Sequence, residues 1–438
     1  MIIEFAVTNF RSIKERQILT FKIDGQIGKA MLPEQIVLPK DKSHGFSLVT
    51  SAVVYGANAS GKSNFLKALH ALNYMVENST DFKLDKPIPT YEPFKLDRQT
   101  IKEPTKFEID FIAKDLRRYT YEIVFNRKEI LDEELYFYEL DRSSPRKALL
   151  YNRLQNKEIV FGENYKGRKD FSLNPNQLFL SKSGVDDIPS IKEAYRFFST
   201  YLLYAAAQTT QFDEEMLKAT ERIFKDESSG EMSLKEAIIS IIKASDTGIN
   251  SIFLQDIDIS TMKFMDDIDI PNEEKEKILS RLKTRIKTVH PLYEKGIKVG
   301  ESIFDLSEES TGTMKLLGLA GIIVYALKDG SVIIIDELDK NLHPLLTRMI
   351  VSLFHNPIIN KNNAQLIFST HDVSLIDKDL FRRDQIILVD KDEEGKSGIK
   401  RLSDFVGISK IIPLAKWYMA GMFKGIPSIN EYQISINE

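Results

Sequence analysis

The chain contains no cysteine, which excludes disulfides, thiolate zinc sites and cysteine nucleophiles. It reads as having no apolar run near the ~18 residues of a membrane span. MIIEFAVTNFRSIK lacks a basic region followed by a long apolar segment, so no signal peptide is expected. These absences lead to the expectation of a cytoplasmic protein with no membrane partner. Charge of one sign is also lacking: 60 Lys and Arg face 64 Asp and Glu, net −4. That balance gives no overall attraction to nucleic acid and leaves only a local basic groove open. No heptad pattern persists over three or four turns, so a long coiled coil is not expected.

What is present begins with VVYGANASGKSNFLKAL. Gly56, Gly61, Lys62 and Ser63 fit G-x-x-x-x-G-K-[ST], a spacing that arises by chance in roughly 1–2% of chains this long. Before it, Val53, Val54 and Tyr55 suit a buried strand. After it, Phe65, Leu66, Leu69, Leu72 and Met75 fall at helical spacing. Strand, glycine loop and helix are the context this motif requires. Such a loop turns backbone N–H groups, here from Gly56, Ala57, Asn58, Ala59, Ser60, Gly61 and Asn64, toward phosphate, and the helix N-terminus adds positive potential. Lys62 would reach the β/γ-phosphates, and the Ser63 hydroxyl would ligate Mg²⁺.

SVIIIDELDKNLHP supplies an acidic partner. A continuous apolar run reads as a buried parallel strand, and ligands collect at strand C-termini. Asp336 would hold Mg²⁺, and Glu337 would orient the attacking water and accept its proton. More than half of the chain separates Lys62 from Asp336, so a large insertion divides one nucleotide-binding fold. Upstream of Asp336, Ser310, Thr311, Gly312 and Thr313 precede an apolar helix. Downstream, AQLIFSTHD reads as another buried strand ending in Thr370 and His371.

NFRSI (Asn9–Ile13), YGANASGKSN, ESTGT (Glu309–Thr313), IIIDELDKNLHP, QLIFSTHD, RRDQIILVDKD and YMAGMFKGIP together resemble the ATPase heads of the ABC class. The branch is that of RecF, Rad50, SMC and overcoming-lysogenization (OLD) proteins. Within it the chain resembles the AbiLi or RloA-like ATP-binding proteins of bacterial abortive-infection loci. The likeness covers about residues 1–80 and 300–430. It implies an α/β fold: a split ABC-type P-loop head with an antiparallel β lobe and a compact helical insertion. It also implies that Ser310 and Gly312 form a signature touching the γ-phosphate bound by a second protomer. Thr311 stands there where the family pattern has glycine. Asp339 matches the D-loop aspartate, His371 the switch histidine, and Arg11 an arginine that approaches the phosphates. Plain alternatives stand beside these: His371 and Ser310 as helix caps, Arg11 as a surface ion pair. Gln99 and Gln155 fit a glutamine loop by residue type only.

The domains expected are 1–82 with the P-loop, 83–165 as β lobe, 166–300 as mainly helical insertion, and 301–438 completing the head. KFEIDFIA, RYTYEIVF and ELYFYEL alternate as antiparallel strands. IKEAYRFFSTYLLYAAA, EEMLKATERIF and MSLKEAIISIIKAS read as helices, the last opened by a capping box of Ser233 and Glu236. DESSGEMS (Asp226–Ser233) reads as a loop, and RLKTRIK (Arg281–Lys287) as a solvated basic helix face. Asp390 and Asp392 follow a strand, but a hairpin explains them better than a nuclease metal site. The expectation is an ATP- and Mg²⁺-dependent ATPase that forms a homodimer or higher homo-oligomer around nucleotide. It would control a separately encoded toxin or nuclease effector in anti-phage defence. A DNA-repair or chromosome-associated ATPase acting on nucleic acid, and a non-hydrolysing nucleotide sensor or scaffold, are the competing classes.

Overall fold

The computed structural model describes residues 1–23, 36–37, 46–139, 146–206, 210–225, 234–256, 284–407 and 413–427. The chain folds into two compact units, one of residues 1–206, 326–339 and 347–438, the other of residues 207–325 and 340–346.

The first unit is built on two sheets. SAVVYG, VIIID and QLIFS are buried at every position, as strands covered on both faces must be. They lie in a six-stranded sheet whose order is Leu202–Ala206, Val332–Asp336, Gln365–Ser369, Ser51–Gly56, Ile386–Lys391 and Ser397–Arg401. Only the last strand runs antiparallel to its neighbour. The P-loop strand and the acidic strand are thus separated by one strand, which ends in Ser369. Helix Lys62–Asn78 follows the glycine loop and buries Phe65, Leu66, Leu69, Leu72 and Met75, the residues whose spacing predicts it.

The second sheet is antiparallel and seven-stranded, running from Val160–Phe161 through Arg146–Leu154, Ile130–Glu139, Arg118–Phe125, Thr105–Ile112 and Ile2–Thr8 to Gln17–Thr20. RYTYEIVF alternates between half-buried and buried along its length, the period-two signature of a sheet with one face on the core. Phe107 packs tilted or edge-on against Phe5, Phe10 and Phe125, at 6.0, 5.4 and 5.5 Å between ring centres. Glu133, with no exposed surface, accepts the hydroxyls of Tyr121 (3.0 Å) and Tyr151 (2.9 Å) and the amides of Phe179 (2.7 Å) and Leu180 (2.8 Å). A lobe carboxylate therefore caps helix Phe179–Val185, which satisfies otherwise orphaned amides.

One segment departs from its sequence reading. In IKEAYRFFSTYLLYAAA the helix ends at Tyr201, and Leu202–Ala206 becomes the edge strand beside Val332–Asp336. A short apolar run suits either state, and pairing to the exposed edge of a parallel sheet decides it.

The second unit contains helices Thr210–Lys225 and Leu234–Ala244 and most of Thr311–Asp329. It also holds a three-stranded antiparallel sheet, Ser251–Asp256, Thr284–Glu294 and Ile297–Asp305. Thr220 Oγ donates to the carbonyls of Met216 (3.1 Å) and Leu317 (3.2 Å), drawing two of these helices close. The part of RLKTRIK that is described, Thr284–Lys287, starts a strand and not a helix, and Lys287 pairs with Asp305 at 2.6 Å. DESSGEMS and Ser233 of the expected capping box lie outside the described residues.

The reading that no stretch could span a membrane needs correction. Among the described residues one helix, Thr311–Asp329, is long and apolar enough by length and composition. Leu316, Leu317, Leu319, Ala320 and Ile323 on it are buried within the protein, which accounts for its apolarity as that of a core helix.

Candidate nucleotide site

The glycine loop connects a fully buried strand to a helix that starts at Lys62, and Gly61 makes the turn with φ 108°. Ala59 is also left-handed, at φ 61°. Lys62 lies over the loop, donating to the carbonyls of Gly56 (2.8 Å) and Ala57 (3.1 Å). Burial holds its ammonium below the usual lysine range, against the pull of nearby Asp336, Glu337 and Asp339. A cation so placed gains from any anion brought to the loop. Ser60 Oγ is buried there without a hydrogen-bond partner. Asn58 and Ala59 are exposed at the tip.

The long stretch of sequence between the two motifs does not keep them apart. Ser63 Oγ donates to Asp336 Oδ1 at 3.1 Å, although Asp336 has no exposed surface. A hydroxyl and a carboxylate meeting at the mouth of a phosphate loop are the hard oxygen donors that Mg²⁺ prefers. Glu337 follows with φ 54°, a left-handed conformation that is costly for a residue with a Cβ. The structure also brings Asp339 to His371: Asp339 Oδ2 accepts the His371 N–H at 3.2 Å, and Asp339 Oδ1 is buried without a hydrogen-bond partner. The His371 side chain is exposed. Capping falls to its neighbour, since Asp372 accepts the Ser374 amide at 2.9 Å.

Arg11 sits in a left-handed turn, φ 53°, where its guanidinium forms an ion pair with Glu92 and its amide donates to the Glu92 carbonyl at 2.7 Å. The next residue carries this turn to the loop: Asn64 Nδ2 donates to Ser12 Oγ at 2.6 Å. Ser397 completes the contact: its hydroxyl donates to the Ser60 carbonyl (2.6 Å) and lies 2.7 Å from Ser12 Oγ. Ser12 was within reach of sequence reasoning, as the residue after Arg11 in NFRSI. Ser397 follows a hairpin turn and carries no sequence signal.

Ser310 and Gly312 belong to the second unit. Ser310 caps helix Thr311–Asp329, accepting the Thr313 amide at 3.0 Å. Gly312 lies against the segment that follows the acidic motif, where a Cβ would meet the Asn341 carbonyl at 2.9 Å. Glu309 is held from the antiparallel sheet by Thr288 (2.5 Å) and His290 (2.7 Å). Asp392 Oδ1 accepts the amides of Glu394 (3.0 Å) and Lys396 (2.8 Å), so it shapes a turn as expected. Among the described residues, neither Gln99 nor Gln155 shows a side-chain hydrogen bond to the loop.

A P-loop strand and helix, with an acidic strand one place removed across a shared sheet, define a P-loop ATPase head. A family model described as "AAA domain, putative AbiEii toxin, Type IV TA system" matches residues 51–377, and the chain belongs to that family. No curated protein matches the sequence. Similar solved structures include the SMC head domain from Thermotoga maritima, at 12% identity over 91% of this chain and 98% of that chain, TM-score 0.39. An SMC head bound to the C-winged helix domain of ScpA gives 13%, 91%, 96% and 0.41. An SMC head with an extended coiled coil, bound to the C-terminal domain of ScpA from Pyrococcus furiosus, gives 13%, 97%, 99% and 0.40.

Proposed function

We propose that the chain binds ATP with Mg²⁺, hydrolyses it, and closes as a homodimer around the nucleotide to control a separately encoded effector. The observation that carries this reading is the meeting of Ser63 and Asp336 beside a buried lysine. That meeting joins motifs from opposite ends of the sequence. Gly56–Asn64 would cradle the phosphates through backbone amides, and Lys62 would neutralise β/γ-phosphate charge. Ser63 and Asp336 would hold Mg²⁺, which when bound withdraws charge from phosphate oxygens. Glu337 orients a water for in-line attack and takes its proton as the bond to the leaving oxygen breaks. His371, held by Asp339 through its amide, faces solvent where a γ-phosphate could be sensed. Arg11 approaches the phosphates only if it leaves Glu92, an exchange of one anion for another.

Ser310 and Gly312 would complete the partner's site, which makes the interface isologous. The family description, which names a putative AbiEii toxin and a type IV TA system, favours a partner of the toxin–antitoxin kind. Pairing of Lys287 with Asp305 removes one charge from the basic run that would favour nucleic acid. ATP turnover and solution mass, measured with and without Mg²⁺ and with and without DNA, test the reading. Turnover that needs Mg²⁺ and ignores DNA, with an ATP-induced doubling of mass, supports it. Turnover that requires DNA supports the chromosome-associated class, and binding without turnover supports a sensor.

A further inference from the structure

Ser369 ends the strand that lies between the P-loop strand and the acidic strand. The parallel register pairs Ile335 with Phe368, so the next residues, Asp336 and Ser369, face each other on one side of the sheet. Three bonds follow. Ser369 Oγ donates to Asp336 Oδ1 at 2.5 Å and accepts the Glu337 amide at 2.8 Å. Its carbonyl accepts the Leu338 amide at 3.1 Å.

A serine hydroxyl has one hydrogen. The Glu337 amide can only donate, so it occupies a lone pair and the hydroxyl hydrogen is directed to Asp336. Asp336 Oδ1 thus receives two hydroxyls, Ser63 from the phosphate loop and Ser369 from the sheet. Both hold the carboxylate as an acceptor, the form a cation needs. The same oxygen of Ser369 restrains Glu337 at φ 54°, a conformation that persists only where its surroundings over-determine it. Thr370, next along, turns to other duties: its hydroxyl accepts the Asp372 amide at 2.9 Å.

We propose that Ser369 is a positioning residue of this site. One hydroxyl sets Asp336 toward the metal and holds Glu337 in its turned conformation, so that metal affinity and water orientation are fixed together. This rests on the nucleotide-site reading above.

The test uses the full chain and its Ser369→Ala, Ser369→Cys and Ser369→Thr variants. Mn²⁺ binding in the presence of ADP is read by electron paramagnetic resonance, ADP binding is measured in EDTA, and ATP turnover is titrated with Mg²⁺. Ser369→Ala should weaken Mn²⁺ binding about 10-fold or more, in the range typical of residues behind a metal ligand, and lower kcat by a similar factor. ADP affinity in EDTA should be unchanged, a separation that general damage to the fold would not give. Ser369→Thr keeps the hydroxyl and should stay within about threefold of the parent. Ser369→Cys keeps the volume with a weak donor and should fall with alanine. It answers the same question if the alanine variant does not fold. Parental Mn²⁺ affinity and kcat in the alanine or cysteine variant would overturn the role of Ser369. Failure of the parent itself to bind nucleotide with metal would overturn the site reading instead.

Discussion

A methyl group on Gly61 would meet Ser397 Oγ at 2.2 Å and Ser12 Oγ at 2.7 Å, in a residue whose φ is 108°. Both the space and the backbone therefore demand glycine. Gly61→Ala should fold, because the hydroxyls it displaces lie outside the apolar core, yet bind ATP at least 10-fold more weakly. Equilibrium titration with a fluorescent ATP analogue measures it, and parental affinity would show that the loop does not hold phosphate. Glu337 invites the complementary change. Glu337→Gln keeps the size and the hydrogen bond from the backbone N–H to Ser369 Oγ but gives up the proton acceptor, so kcat should fall by roughly 10²–10³-fold with ATP binding retained. Near-parental turnover would remove Glu337 as the carboxylate that handles water. These residues were legible in the sequence because each motif is local, with glycine, lysine and acid at fixed offsets from an apolar run. Ser369 and Ser397 were not. Their roles arise from strand register and from a hairpin folded beneath the loop, which no spacing along the chain records.

At the scale of elements, the same contrast explains which strands could be read. VIIID and QLIFS carry unbroken apolar runs, Val332–Ile335 and Leu366–Phe368, and can hardly be anything but buried strands, whereas LLYAA continues a helix pattern until a sheet edge claims it. The lobe announced itself by alternation, but the strand Ile2–Thr8 joined it only through pairing with Thr105–Ile112. The foot of the parallel sheet, at the opposite end of the strands from the glycine loop, hides a further long-range cluster. Ser51 Oγ lies 2.6 Å from His355 Nε2, and Gln385 Nε2 donates to Ser51 Oγ at 3.0 Å. Nε2 of this buried ring thus faces the Ser51 hydroxyl, which is itself held by Gln385. Burial pushes the His355 pKa down to about 3. The unfolded chain, with an ordinary histidine near 6.5, therefore binds the proton first as pH falls. This contribution is fully present above about pH 6.5 and is lost between there and pH 3, amounting to a few kcal/mol at most. Urea unfolding of the parent and His355→Gln across pH 4–7 measures it. The parent's stability should fall more steeply toward acid, and equal slopes would mean that the ring takes up its proton at the same pH in the folded and unfolded states.

At the scale of the whole molecule, the phosphate loop and the Ser310 segment lie in different compact units, so sharing of a site between chains must be tested in solution. Ser310 is exposed and caps its helix, and two substitutions separate these functions. Ser310→Asp keeps a capping oxygen and adds negative charge, while Ser310→Arg removes the cap at a cost of about 0.5–2 kcal/mol and adds bulk. If Ser310 meets the γ-phosphate of a partner, both variants should bind ATP, hydrolyse it poorly and fail to dimerise on ATP. Lys62→Ala should fail earlier, at nucleotide binding. Mixing Lys62→Ala with Ser310→Arg then poses the decisive question. In a mixed dimer one composite site carries both defects and the other carries neither. Only mixed pairs can close on ATP, and each has one intact site, so turnover should recover to no more than about half of the parent's. Neither variant alone supplies a complete site, so recovery would establish that ATP is enclosed by two chains. No recovery, with mixed dimers confirmed by native mass spectrometry, would mean that each head works within itself or that both sites must act together. Parental activity and ATP-dependent dimerisation in Ser310→Asp would go further and remove Ser310 from the nucleotide altogether, leaving it as the cap of its own helix.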